Sequence, residues 1–128
     1  LYAEAEQVYR RFFEEDGKIT MAGINASEEV LALLAPAYGD SYKAQRKALA
    51  GVTTDGYGMV RAVRPAPGQA YNGSDIAIAV CEDGSKNRAF RDGKVLGSLG
   101  IRESIFYFKR VDGALKIWWQ TSAKVPTC

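Results

Sequence analysis

Along the first sixteen residues, LYAEAEQVYRRFFEED, the apolar side chains Ala5, Val8, Tyr9, Phe12 and Phe13 recur every three or four positions. That spacing predicts an amphipathic helix with one stripe facing a core, favoured at its start by Glu4 and Glu6 and stopped by Gly17. The stretch NASEEVLALLAP predicts a short second helix, capped by Ser27, with Glu28 and Glu29 in its first turn and Pro36 blocking continuation. A third helix is expected to start at Asp40 or Ser41, run to Leu49 and end at Gly51.

After Gly51 the period changes to two. GYGMVRAVRP predicts a strand ending at Pro65, followed by a loop in PAPGQAYNGS. In SDIAIAVCED, Ile76, Ile78 and Val80 fall on one face, and Ala77, Ala79 and Cys81 on the other. RDGK and VDGA each place Asp-Gly between strand-like flanks, the strongest short-range hairpin signal. IRESIFYFKR and ALKIWWQTS are the strands around the second hairpin. Helices followed by an antiparallel meander define an α+β domain, a single one over residues 1–128, with three N-terminal helices packed against one face of an antiparallel sheet.

Strict alternation in ALKIWWQTS assigns Leu115, Ile117 and Trp119 to the core face, and Lys116, Trp118 and Gln120 to the outer face. Phe106 and Phe108 share a face with Arg102, Ser104 and Arg110. Hairpin pairing is therefore expected to gather Trp118, Phe106 and Phe108 into an outer aromatic patch, the kind of surface that contacts a protein partner or a second copy.

The element order, and above all the ending FKRVDGALKIWW, resembles the nuclear transport factor two-like superfamily, which also holds ketosteroid isomerases and SnoaL-like cyclases. The resemblance implies a cone-shaped roll, with the helices in the concave face of the sheet. AVCEDGS together with a terminal cysteine is similar to secreted or lipid-anchored members from Gram-positive, especially actinobacterial, cell envelopes. That likeness implies an extracytoplasmic protein, reaching the membrane only through a lipid anchor or N-terminal segment.

The two cysteines point to the same compartment. Cys81 alone reads as a small buried hydrophobe, but Cys128 is the last residue, where a free thiol is a liability and a bridge ties down a fraying end. A Cys81–Cys128 disulfide would stabilise by roughly 4 kcal/mol on the chain-entropy model and belongs in an oxidising environment.

Charge and composition mostly exclude. The net charge of +2 conceals an acidic start, with eight acids against three bases in residues 1–40, and a basic remainder. The bases are scattered one per strand or turn, so a solvated face is expected rather than a nucleic-acid site. There are no histidines, which removes histidine triads, histidine acid–base work and most zinc or haem sites. No metal or cofactor site is expected.

The superfamily's enzymes use a carboxyl of raised pKa beside a tyrosine or second acid. Asp16, Asp40, Asp55 and Glu103 are the acids available for such a role here, with Tyr9, Tyr57 or Tyr107 as partner. Glu103 stands out through its Ile101, Ile105, Tyr107 register, but no acid–tyrosine set maps onto a catalytic pattern. The first expectation is therefore a non-catalytic binding or scaffolding domain of an envelope lipoprotein. The alternatives are a hydrophobic small-molecule site or carboxylate-dependent isomerase or dehydratase inside the cone, and a component of a transfer or secretion apparatus. A scaffold would have its cone filled by side chains; a ligand site needs a pocket enclosing an ionisable group.

Overall fold

The computed structural model describes residues 1–128. Three helices come first, α1 (Tyr2–Ala22), α2 (Glu28–Leu31) and α3 (Pro36–Ala48). Five strands follow: β1 (Val52–Thr54), β2 (Met59–Pro65), β3 (Ile76–Arg91), β4 (Lys94–Val111) and β5 (Ala114–Val125).

Helix α1 does not stop at Gly17. It continues to Ala22 and ends at Gly23, whose φ of 67° is the left-handed conformation a terminal glycine supplies. Gly17 is there for a different reason: a Cβ at this position would overlap the ring of Tyr57. The cost of a mid-helix glycine, about 1 kcal/mol against alanine, is offset by that ring packing directly on the helix backbone. Pro36, expected only to end a helix, also begins one. It occupies the first turn of α3, where its missing N–H leaves no hydrogen bond unmade. The α2–α3 junction is pinned to the edge of β5, since Ala35 N–H donates to Ile117 O and Ile117 N–H donates to Leu33 O, both at 2.9 Å.

Both Asp-Gly hairpins form as the sequence predicts, with positive φ at Asp92 and Gly93 (52° and 77°) and at Asp112 and Gly113 (51° and 84°). They join β3, β4 and β5 into a continuous antiparallel meander. On the free side of β3 two short strands share its length: β2 pairs with residues 78–83 and β1 with residues 89–91. Register shifts interrupt β2–β3, β3–β4 and β4–β5, and each bulge bends its strand. The result is a sheet curled into a half-barrel with the helices against its concave side.

The core lies between them. Ala5, Tyr9, Phe12 and Ile19 of α1 and Tyr38 and Tyr42 of α3 pack on Ile76, Ile78 and Val80 of β3, Phe106 and Phe108 of β4, and Leu115 and Ile117 of β5. Tyr9 and Phe12 meet Phe106 with ring centroids 4.9 and 5.9 Å apart. Phe13 is half-buried at the margin.

This corrects the outer aromatic patch. Phe106 and Phe108 are 1% and 0% exposed and belong to the core. The even-numbered face of β4 is the concave one, and its polar members are accommodated locally. Ser104 is buried and donates to Ser122 Oγ at 3.1 Å, while Arg102 sits at the rim. Trp118 stands apart from both phenylalanines. Tyr107 pairs with Trp119 but Phe108 pairs with Ile117, so Trp118 is the extra residue of a bulge. Its half-buried indole donates to Asn72 O at 3.2 Å, and Lys109 Nζ lies 5.5 Å from its ring. The β2–β3 loop also lays Tyr71 against Tyr107 and Trp119. The loop thus covers Trp118 through Asn72, and Tyr107 and Trp119 through Tyr71, whereas alternation had turned only Trp118 of these three outward.

The bulge also shifts the phase of β5. Leu115 and Ile117 face the core as expected, but beyond the extra residue it is Gln120, paired with Phe106, that points to the concave side. Cys81 and Cys128 are joined in a disulfide across 47 positions, with Cα atoms 6.1 Å apart. The tail after Val125 crosses the convex face beside Ile101 to reach β3.

Candidate functional site

A cavity of about 430 Å³ opens between α1, α3 and the concave sheet. Part of its wall is aromatic, with Phe12 and Phe13 from α1, Tyr38 and Tyr42 from α3, Phe106 from β4, and Tyr57 from the β1–β2 loop, and the rest is largely polar, including Thr20, Gln45 and Ser98. Tyr57 reaches this position because Gly17 leaves room for its ring and Gly58, at φ 80°, lets the loop run against the backbone of Asp83.

Two carboxyls interrupt the aromatic lining. Asp16 extends the α1 stripe of Phe12 and Phe13 by one more turn, and its Oδ1 accepts a hydrogen bond from Tyr42 Oη at 2.5 Å. Glu82 extends the Ile78, Val80 face of β3 by one more step, and its Oε2 accepts from Tyr9 Oη at 2.6 Å. Tyr9 is itself fully buried behind Glu82. Between the acids, Tyr38 Oη donates to Gln120 Oε1 at 2.7 Å. The hydroxyl of Thr54 on the same wall is buried without a hydrogen-bond partner.

Burial raises the pKa of both acids. For Asp16 it outweighs the opposing hydrogen bond from Tyr42 and the charge of Arg46. For Glu82 it outweighs the hydrogen bond from Tyr9, and the neighbouring charge of Asp16 adds to the rise while Arg102 opposes it. Tyr9, Tyr38 and Tyr42 are pushed above the ordinary phenol range, first by burial and then by the acids they face. All three phenols are therefore neutral donors at physiological pH. A carboxyl of raised pKa beside a neutral phenol is the pairing that acid–base chemistry uses.

The sequence-derived candidates are dispersed. Glu103 is exposed on the convex face opposite Cys81, away from the cavity, because its register is the outer one. Asp40 is exposed and lies 3.6 Å from Lys43. Asp55 accepts from the backbone N–H of Arg88 at 2.7 Å, which lowers its pKa, and takes no part in the cavity. Tyr107 is on the convex side against Tyr71. Of the acids and tyrosines singled out, Asp16, Tyr9 and Tyr57 belong to the site or its support. Glu82, Tyr38, Tyr42 and Gln120 were not singled out. Glu82 was one alternation step beyond Val80, and Tyr38 and Tyr42 fall four apart on a helix once its start is placed at Pro36. No group of three His, Cys, Asp or Glu residues is arranged to hold a metal ion.

On geometry alone the protein is an α+β domain with a curled antiparallel sheet, a disulfide and an acid-bearing cavity. No protein-family model, curated protein or solved structure matches the chain. No helix is long and apolar enough to cross a membrane.

Proposed function

We propose that this is an extracytoplasmic small-molecule-binding domain of the nuclear transport factor two-like cone type, with its ligand in the cavity between α1, α3 and the sheet. The observation that carries the reading is the pair of tyrosine-held carboxyls, Asp16 and Glu82, set into an aromatic cavity of about 430 Å³. Burying an ionisable group is costly, and a domain needing only a packed core would place apolar side chains there. A cleft that combines aromatic side chains with convergent polar groups of perturbed pKa is a usual form of ligand site, and this one is lined by both. This favours the ligand-binding alternative over a scaffold with a filled interior. The raised carboxyls also favour a second reading at the same site, acid–base turnover of the isomerase or dehydratase kind.

The disulfide supports an oxidising compartment. A protein held at the outer face of a membrane by a lipid or N-terminal anchor fits that compartment. Chemical-shift mapping with a mixture of small aromatic and aliphatic fragments tests the reading. Resonances of Phe12, Tyr38, Tyr57 and Gln120 should move. Shifts confined to the convex face around Trp118, or none, would overturn it.

A further inference from the structure

We infer that the ligand of this cavity carries a primary ammonium group, seated between the side chains of Asp16 and Glu82. The argument is a count of donors and acceptors, and it rests on the small-molecule reading above. Each tyrosine hydroxyl at the inner end has already committed its proton: Tyr9 to Glu82 Oε2, Tyr42 to Asp16 Oδ1 and Tyr38 to Gln120 Oε1. A cation placed between the two acids favours their ionised form, and what the cavity then offers a ligand there is mainly acceptors, namely Asp16 Oδ2, Glu82 Oε1 and the phenol oxygens. The remaining side-chain donors on the lining are the amides of Gln120 and Gln45, the hydroxyls of Thr54 and Tyr57, and the bases at the rim.

A carboxylate placed between Asp16 and Glu82 would meet two further carboxylates, and a carbonyl there would meet their lone pairs. An ammonium has three donors and no acceptor, so it complements the set. The walls suit the same group, because the rings of Phe12, Phe13, Tyr38 and Tyr57 line the cavity and aromatic rings attract a desolvated cation. The bases near the cavity do not already fill the role. Arg46 is buried, but its guanidinium donates to Ile24 O through Nε and Nη2, at 3.3 and 3.1 Å. Arg102 and Lys124, cross-strand partners, are exposed at the rim. They would face the outer end of a ligand whose ammonium points inward, so that end is neutral or anionic.

Three probes of one shape test this: 2-phenylethylammonium, 2-phenylethanol and phenylacetate, each titrated against the full chain by chemical-shift mapping. The ammonium should bind at least about ten-fold more tightly than either analogue, a difference of roughly 1.4 kcal/mol. In the isosteric Asp16→Asn, Glu82→Gln double variant, shown to be folded by circular dichroism, that preference should shrink to about three-fold or less. Equal or tighter binding of the alcohol or the carboxylate in the cavity would overturn the ammonium assignment and leave the small-molecule reading standing. If none of the three moves a cavity resonance at about 10 mM, well above the millimolar Kd expected of a fragment, the small-molecule reading falls with it. A preference that persists undiminished in the double variant would also overturn the assignment, because the two carboxylates would then not be its cause.

Discussion

Glu82 and Asp83 follow one another on β3 and titrate in opposite directions. Glu82 points to the concave side, where burial raises its pKa and a buried phenol is its hydrogen-bond donor. Asp83 points to the convex side and accepts from Ser85 and Arg61 at 2.6–3.0 Å, which brings its pKa down to about 2. The two residues have nearly the same chemistry and are adjacent in the chain. Only the pleat separates them, and it sends them to two environments. The concave face carries the core and the acid-bearing cavity; the convex face carries the bridge, the covering loop and ordinary surface ion pairs.

That division can be broken most forcefully at Phe106. Phe106→Ala removes a fully buried ring that contacts both Tyr9 and Phe12, and should destabilise by roughly 3–5 kcal/mol in denaturant melts. A loss below about 1 kcal/mol would mean that the concave face is not the principal core. On the other face, replacing Cys81 and Cys128 together by alanine should cost up to about 4 kcal/mol on the chain-entropy model while leaving the far-ultraviolet spectrum unchanged. Collapse of that spectrum at room temperature would show that the convex fastening is needed for the fold itself.

A gentler comparison uses pH. Asp16 and Glu82 hold protons in the folded state at pH values where the unfolded chain has released them, so their ionisation on raising pH weakens the fold. Melting temperature should therefore rise as pH falls from neutrality towards about 4, the ordinary carboxyl range. Asp83 acts in the opposite sense: its contribution is present above its unfolded value and is lost as pH falls from there through about 2. The Asp16→Asn, Glu82→Gln variant should lose the rise above pH ~4 and keep the fall below it. Glu103→Gln, on the exposed side, should change stability by no more than about 0.5 kcal/mol. Identical pH profiles for wild type and the double variant would contradict the assignment of the two faces.

Much of this architecture was legible locally. Each Asp-Gly pair demands positive φ at consecutive residues, and both produced hairpins. The terminal cysteine had a reason to be bridged, and it is. What the chain concealed depended on contacts between distant segments. Gly17 has the appearance of a stop because its purpose, room for the ring of Tyr57, lies forty positions away. The Trp118 bulge leaves no local mark in KIWWQTS, yet it inverts the facing of everything after it, so Gln120 enters the cavity. Phe106 and Phe108 shared their face with Arg102 and Arg110, and nothing short of the curl shows that those arginines reach the rim. Glu82 was the site residue most open to discovery, since it continues the apolar face of β3 by one step.

The bridge between Cys81 and Cys128 also has a mechanical consequence. It closes a covalent ring that contains β4, β5 and the second half of β3, while all three helices, β1 and β2 lie outside it. A force applied between the two ends of the chain can extend only residues 1–80, roughly 270 Å of fully stretched backbone. The covalent path of that load bypasses the β4–β5 hairpin, which feels it only through the pairing of residues 76–80 with β4. Under tension the domain would shed its helices, and the cavity with them, while residues 81–128 stay a closed loop.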